Sequence, residues 1–265
     1  MARDVVAEVV EVRAHPLPYF TLVLEVPGEL AQAEAGQFVM LETTGELEPY
    51  LRRAFSIADL EPAGERVRLE LLAKVVGRGT RAMAALVPGQ RRRLLAPLGR
   101  GFPLPPDGPV ALVAGGVGSA PLLLLGRQLA ARGVAFDFFY GGRSAVDLAR
   151  ADDFEALASA AGGRFLAVTE DGSRGFAGRV TAALRNELEA GGHNYHAAYA
   201  CGPMPMLAAL ASLARSHGLT AHAALETEMG CGFGACLGCA VPHVDGRFAL
   251  CCKDGPVFRL DEVRW

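Results

Sequence analysis

The chain has 265 residues, 51% of them hydrophobic and 21% charged, which is too apolar for disorder and long enough to bury more than one core. A net charge of −3 provides no basic footprint, so nucleic acid is excluded as a partner. Two domains with an appendage are expected from this length.

The opening MARDVVAEVVEV alternates apolar and charged residues, which reads as a strand and not as the apolar heart of a signal peptide. Further β-rich runs follow: YFTLVLEVP, GQFVMLET, AFSIADL, RVRLELLAKV and RRRLLAPLG, separated by Gly, Pro and acidic turns. Their number and spacing predict a small antiparallel β-barrel over residues 1–100, because closing a sheet removes its exposed edges. GRGTRAMAAL, residues 77–86, predicts one helix inside it.

GRGFPLPPDGP, residues 99–109, holds four prolines and marks a boundary. Beyond it the period changes. VALVAGG, AFDFFYGG, RFLAVTED and HAAYACGP read as strands; PLLLLGRQLAARG, the stretch near DDFEALASA, RVTAALRNELEAGG and MPMLAALASLARSHG read as helices. Strands alternating with helices of this length predict a doubly wound parallel sheet over residues 101–222. The apolar tract PVALVAGGVGSAPLLLLG is broken by glycines and fits a buried strand–turn–helix, so no membrane span is expected and the chain is placed in the cytoplasm. Residues 223–265 are irregular and rich in glycine and cysteine.

Five of the six cysteines fall between Cys231 and Cys252. In a reducing compartment such crowding points to metal ligation or redox chemistry in preference to disulfides. Cys231-x4-Cys236-x2-Cys239 has the spacing of plant-type 2Fe–2S ferredoxins, and the small residues Gly230, Gly232, Gly234, Ala235 and Gly238 let backbone amides approach the sulfurs. A fourth ligand comes from Cys251 or Cys252. The alternative is a structural zinc in a binding module without redox cofactors, but zinc sites usually pair two Cys-x2-Cys knuckles and this chain has one.

AGGVGSAP, residues 114–121, joins a strand to a helix; Gly116 and Gly118 permit a tight turn that faces a pyrophosphate toward the helix N-terminus. Pro121 stands at the last glycine position of the standard dinucleotide fingerprint, and no acid ends the second strand, where GGRS follows instead. Arg143 and Ser144 there could accept a 2′-phosphate, which leaves NAD versus NADP open. LRRAFSIAD, residues 51–59, offers a guanidinium for phosphate, and GRGT at 77–80 offers a second anion seat. The six histidines, His193 among them, have no ligand spacing, and no Gly-x-Ser-x-Gly elbow supports hydrolysis.

The order of these pieces resembles the ferredoxin–NADP reductase superfamily, in Arg53-Ala54-Phe55-Ser56, Gly115-Gly116-Val117-Gly118 and Cys201-Gly202-Pro203-Met204-Pro205-Met206. ETEMGCGFGACLGC followed by CCKDGPVF narrows the resemblance to the iron–sulfur electron-transfer subunits of class 1B dihydroorotate dehydrogenase. The resemblance implies an FAD lined by Arg53, Ala54, Phe55 and Ser56, by Leu72, Ala73 and Lys74, and by Gly79 and Thr80. It implies a nicotinamide site at Gly116, Gly118 and Cys201, with NAD favoured, and cluster ligation by Cys231, Cys236, Cys239 and Cys252. Ala54 stands where the family often has proline, and Cys251 is an additional thiol.

The implied function is an oxidoreductase subunit of pyrimidine biosynthesis. Electrons pass from the FMN of a catalytic subunit through the 2Fe–2S cluster and FAD to NAD⁺, within a heterotetramer and with no catalytic residue for dihydroorotate on this chain. Related FAD/2Fe–2S subunits of NADP-dependent ferredoxin reductases and sulfide dehydrogenase-like complexes tend to lack the first cysteine of the pattern, which favours the dihydroorotate reading.

Overall fold

The computed structural model describes residues 2–44, 50–105, 108–191 and 194–265. His193 and residues 106 and 107 of the proline-rich linker lie outside them.

The first half of the chain forms β1 (Arg3–Ala14), β2 (Tyr19–Pro27), β3 (Phe38–Leu41), β4 (Arg53–Ser56), β5 (Asp59–Ala63) and β6 (Arg66–Lys74), then α1 (Arg78–Ala84) and β7 (Arg91–Leu98). All pairings are antiparallel, in the order β4-β3-β7-β1-β2-β6-β5. The two edge strands are consecutive in sequence. Between them Ile57 N–H donates to Gln37 O at 3.0 Å and Ala58 N–H to Glu70 O at 2.9 Å, so one bent run pairs first with the β3 side and then with β6. That run curls the sheet into the expected barrel and protects its edges. Val9, Leu22, Leu24, Leu69 and Leu71 fill the interior.

The second half contributes β8 (Val110–Gly115), α2 (Ala120–Ala131), β9 (Phe136–Gly142), α3 (Ala151–Ala160), β10 (Phe165–Thr169), β11 (Phe176–Ala177), α4 (Val180–Glu189), β12 (Ala197–Cys201), α5 (Met204–Ser216) and β13 (Ala221–Ala224). Then come β14 (Ala240–Pro242), β15 (Phe248–Leu250) and β16 (Val257–Arg259). The large sheet runs β11-β10-β9-β8-β12-β13-β16, parallel except for β16 against β13, while β14 and β15 form a separate hairpin. β9 alternates aromatic side chains across the sheet. Phe138 packs on Phe154 of α3 with ring centroids 4.6 Å apart, whereas Phe139 faces Tyr195 on the other side.

Four strands, β13 to β16, lie at or within the segment that the sequence reads as irregular. β13 is AHAA, whose small side chains carry little β-propensity; it forms because it is buried between β12 and β16. β16 is supplied by the cysteine-rich tail, so that tail is built into the parallel sheet as well as lying against the barrel. Leu225 N–H donates to Pro256 O at 2.9 Å and Arg100 N–H to Gly255 O at 2.6 Å, tying the tail to both halves.

The halves are also joined directly. Tyr19, Ala58 and Leu72 pack with Ala120 and Ala149. Around that apolar patch lie three polar clasps: Tyr19–Asp147 at 2.6 Å, Arg127–Asp59 at 2.6 Å and Arg150–Glu70 at 2.5 Å. The outer faces of β2 and β6 are therefore buried, which sets one fixed groove between barrel and sheet. No helix among the described residues is long and apolar enough to cross a membrane.

Candidate functional site

A cleft of about 930 Å³ opens along that groove. β4 brings Arg53, Ala54, Phe55 and Ser56 to it, and β6 brings Leu72, Ala73 and Lys74. Thr80 and Cys201 also line it. Gly79 does not: a Cβ there would lie 3.0 Å from Arg53 Nε, so this glycine lets the guanidinium rest against α1. The Thr80 hydroxyl accepts the N–H of Val76 at 2.9 Å and of Gly77 at 3.2 Å, so it caps its own helix while facing the cleft. Thr227 also lines the cleft, with its hydroxyl oxygen buried and turned toward the Cys251 thiol.

A second cleft of about 420 Å³ lies at the carboxyl ends of β8, β9, β10 and β12. Gly116 lines it with φ +54°, but Gly118 lines neither cleft. A Cβ on Gly118 would sit 2.3 Å from Cys201 O, so this glycine serves the close approach of the turn after β8 to the end of β12. The turn from Gly116 to Ser119 is one 3₁₀ turn ahead of α2, which starts with Pro121 in its first positions. This is the place in an open α/β sheet where the strand order reverses, between β8 and β12.

The two clefts share Lys74, Val117 and Glu226. Lys74 Nζ is 3.7 Å from Asp147 Oδ1 and 5.1 Å from the Tyr19 ring centroid. Burial would push the Asp147 carboxyl up; the Tyr19 hydroxyl and the Lys74 charge outweigh it and hold it below the ordinary range. Glu226 opens onto the cleft yet is enclosed by protein on its other sides, and that enclosure pushes its carboxyl up. Its Oε1 is 4.0 Å from Cys201 Sγ, and burial, then the Glu226 charge, push the Cys201 thiol well above its ordinary value. Glu226, Thr227 and Met229 all line the large cleft and were not singled out in the sequence. The only available signal was their position in ETEMG, directly ahead of the cysteine loop.

All six cysteines are free. Cys239 Sγ lies 3.2 Å from Cys252 Sγ. Backbone N–H groups point at the sulfurs: Gly234 to Cys252 at 3.1 Å, Cys236 to Cys231 at 3.4 Å and Cys252 to Cys239 at 3.4 Å. Burial would raise the Cys231 thiol, but the amides of Cys236, Phe233 and Ala235 with the Cys236 side chain bring it down to about 6. Burial and the adjoining Cys239 thiol push Cys252 up to about 12.

Among the described residues no three His, Cys, Asp or Glu side chains converge on a single-ion position. The thiols instead form two pairs, Cys231 with Cys236 and Cys239 with Cys252. Two pairs with converging amides fit a two-iron group better than one tetrahedral ion. Cys251 is directed elsewhere, its Sγ 3.5 Å from Leu225 O, and burial pushes it up to about 11.

The loop is pinned to the barrel at Gly232, which has φ +83° and whose Cβ would fall 2.5 Å from Met40 Cγ of β3. This seating turns Cys236 and Gly238 into the wall of the large cleft. The thiols, the large cleft and the small cleft are therefore contiguous.

Comparison with known proteins matches residues 226–264 to the iron–sulfur cluster binding domain of dihydroorotate dehydrogenase B and residues 112–212 to an oxidoreductase NAD-binding domain. The chain is 37% identical over 250 residues to the dihydroorotate dehydrogenase B (NAD(+)) electron transfer subunit of Geobacillus kaustophilus, covering 92% of each chain. It is 33% identical over 264 residues to the homologous subunit of Aquifex aeolicus, covering 99% of each. Among solved structures, an NADH-dependent reduced ferredoxin–NADP oxidoreductase, described for flavin-based electron bifurcation, superposes with a TM-score of 0.85 at 28% identity, covering 98% of this chain and 90% of that one. A ferredoxin–NADP⁺ reductase from Neisseria gonorrhoeae, with FAD and NADP bound, shares the fold at a TM-score of 0.67 and 22% identity, over 82% of this chain and 93% of that one.

Proposed function

The chain belongs to the family of dihydroorotate dehydrogenase B electron transfer subunits, and from that membership we propose that it relays electrons between a dihydroorotate-oxidising catalytic subunit and NAD⁺. The observation that carries the reading is contiguity: Cys236 and Gly238 wall the large cleft, and that cleft shares Lys74, Val117 and Glu226 with the small one. FAD in the large cleft and a 2Fe–2S cluster on the thiols supply the exchange between single electrons and the hydride carried by NAD(H).

The residues divide this work. Cys231, Cys236, Cys239 and Cys252 hold the irons in two pairs, with the amides of Gly234, Cys236 and Cys252 compensating thiolate charge. Arg53 holds the FAD pyrophosphate beside Gly79 and Thr80. Ala54, Phe55 and Ser56 face the flavin, and Leu72, Ala73 and Lys74 form its second wall. Gly116 lines the nicotinamide seat, Gly118 supports it from behind by letting the turn approach Cys201, and Cys201 borders the seat from the flavin cleft. Glu226 is the carboxylate common to both clefts, placed to accept hydrogen bonds from an occupant of either, and enclosure by protein raises its pKa. The functional units are residues 1–100 for FAD, 101–222 for NAD and 223–265 for the cluster.

Phe233 and Leu237, which flank the exposed Cys236 on the thiol loop, are 59% and 62% exposed, and Phe248 on β15 is 66% exposed. Exposed apolar groups this close to the thiols suit a docking face, and its occupant is the catalytic subunit. The crowding of five cysteines between Cys231 and Cys252 fits metal ligation in a reducing cytoplasm.

Anaerobic material should contain iron, acid-labile sulfide and FAD, give a paramagnetic signal after dithionite, and bleach at flavin wavelengths with NADH. Material lacking both sulfide and flavin would overturn the reading. Dihydroorotate set against reduced ferredoxin as electron donor to the co-purified complex separates this role from that of the bifurcating relative.

A further inference from the structure

A dinucleotide fold commonly ends its second strand with an acid for the adenosine ribose, and here that strand ends in Gly141-Gly142-Arg143-Ser144. The structure brings an acid to the same place from the neighbouring strand. β9 and β10 run parallel with Gly142 opposite Thr169. Glu170 N–H donates to Gly142 O at 3.0 Å and Asp171 N–H to Arg143 O at 3.1 Å. These bonds fix Glu170 beside Arg143 on the wall of the 420 Å³ cleft, and Arg179, directly before α4, joins them there.

All three side chains are exposed, and among the described residues none has an ion-pair partner. An unpaired carboxylate and two unpaired guanidiniums thus face one cavity.

The sheet order says which end of a nicotinamide dinucleotide would meet them. β12 and β13 lead to Cys201, Leu225 and Glu226 on the flavin side, whereas β9 and β10 lie on the opposite side of β8. A ligand with its nicotinamide against the flavin crosses the β8 turn and lays its adenosine over the ends of β9 and β10. We infer that Glu170 is the residue that selects NAD(H) over NADP(H). Its carboxylate accepts hydrogen bonds from the adenosine ribose hydroxyls and repels a 2′-phosphate that Arg143 and Arg179 would otherwise hold. This rests on the reading of the small cleft as the nicotinamide site.

The test uses the full chain in its complex, with 5′-AMP and 2′,5′-ADP as probes in calorimetry and in competition with NADH, and kcat/KM measured for NAD⁺ and NADP⁺. In Glu170→Gln the NADP⁺ to NAD⁺ ratio should rise about tenfold or more, with a parallel gain for 2′,5′-ADP over 5′-AMP. Adding Arg143→Gln should remove most of that gain. If 5′-AMP binds and displaces NADH but both ratios stay within about twofold in Glu170→Gln, the assignment of Glu170 is wrong while the site stands. If neither probe binds or displaces NADH, the placement of the nucleotide falls and the inference falls with it.

Discussion

The Tyr19 hydroxyl donates to Asp147 Oδ1 at 2.6 Å, across the seam between the barrel and the parallel sheet. The same carboxylate oxygen lies 3.7 Å from Lys74 Nζ, the cation shared by both clefts. One acid therefore fastens the two halves and orients a side chain that serves both. Because Tyr19 is 3% exposed, its hydroxyl has little access to water as a substitute partner.

Asp147→Ala should destabilise the fold by about 1–3 kcal/mol, the cost of leaving the Tyr19 hydroxyl without its acceptor. It should also raise KM for NAD⁺ more than it lowers kcat, since Lys74 loses its anchor. Thermal unfolding and steady-state kinetics measure the two effects. The Asp147 carboxyl is lowered in the folded state from an ordinary 3.8, so its contribution is complete above that value and fades as pH falls through the lower folded one. Asp147→Asn should therefore lower stability on the neutral plateau and lose this part of the acid-induced fall, so that the two stability curves converge as pH drops.

Arg150 and Glu70 are 7% and 10% exposed at their side chains, and Arg13 lies 3.4 Å from the other Glu70 oxygen. Removing one partner of a buried pair costs about 3–5 kcal/mol, and Arg13 should hold Arg150→Met to the lower part of that range. The double variant Arg150→Met with Glu70→Leu should recover much of the loss in denaturant titrations. A double variant as unstable as the single one would show that the pair is not what joins the halves.

Cys252→Ser should lose iron, sulfide and the reduced paramagnetic signal, because Cys252 faces Cys239. Cys251→Ser should keep all three, because its sulfur faces Leu225 O. Iron and sulfide assays on the two variants decide between adjacent cysteines. Equal losses would mean that the loop rearranges around the metal.

Gly232→Ala places a Cβ 2.5 Å from Met40 Cγ at φ +83°, combining backbone strain with overpacking. A loss of about 2–4 kcal/mol and lower cluster occupancy are expected. Met40→Ala in the same chain should restore part of the occupancy by opening space. No restoration would place the whole effect in the backbone.

Phe233→Asp should weaken capture of the catalytic subunit while leaving flavin, iron and NADH-dependent bleaching intact, because the Phe233 side chain is mostly exposed. Gel filtration of the co-expressed subunits reads complex formation. A variant that assembles as well as the parent removes Phe233 from the docking face.

The chain order alone determined much of this protein. The period-two runs before Leu98 and the strand–helix alternation after Val110 are local patterns, and both halves fold as those patterns require. Cys231-x4-Cys236-x2-Cys239 is likewise a spacing within one loop, legible without a partner. β13 was not legible, since AHAA becomes a strand only when β12 and β16 bury it. Tertiary structure alone decided that Cys252 and not Cys251 turns toward Cys239, because two neighbouring side chains on one segment differ in direction and not in chemistry. It likewise placed Glu226 where the clefts meet and Glu170 beside Arg143. Those positions depend on segments far apart in sequence, and their convergence is set by packing between elements, which no spacing along a single stretch records.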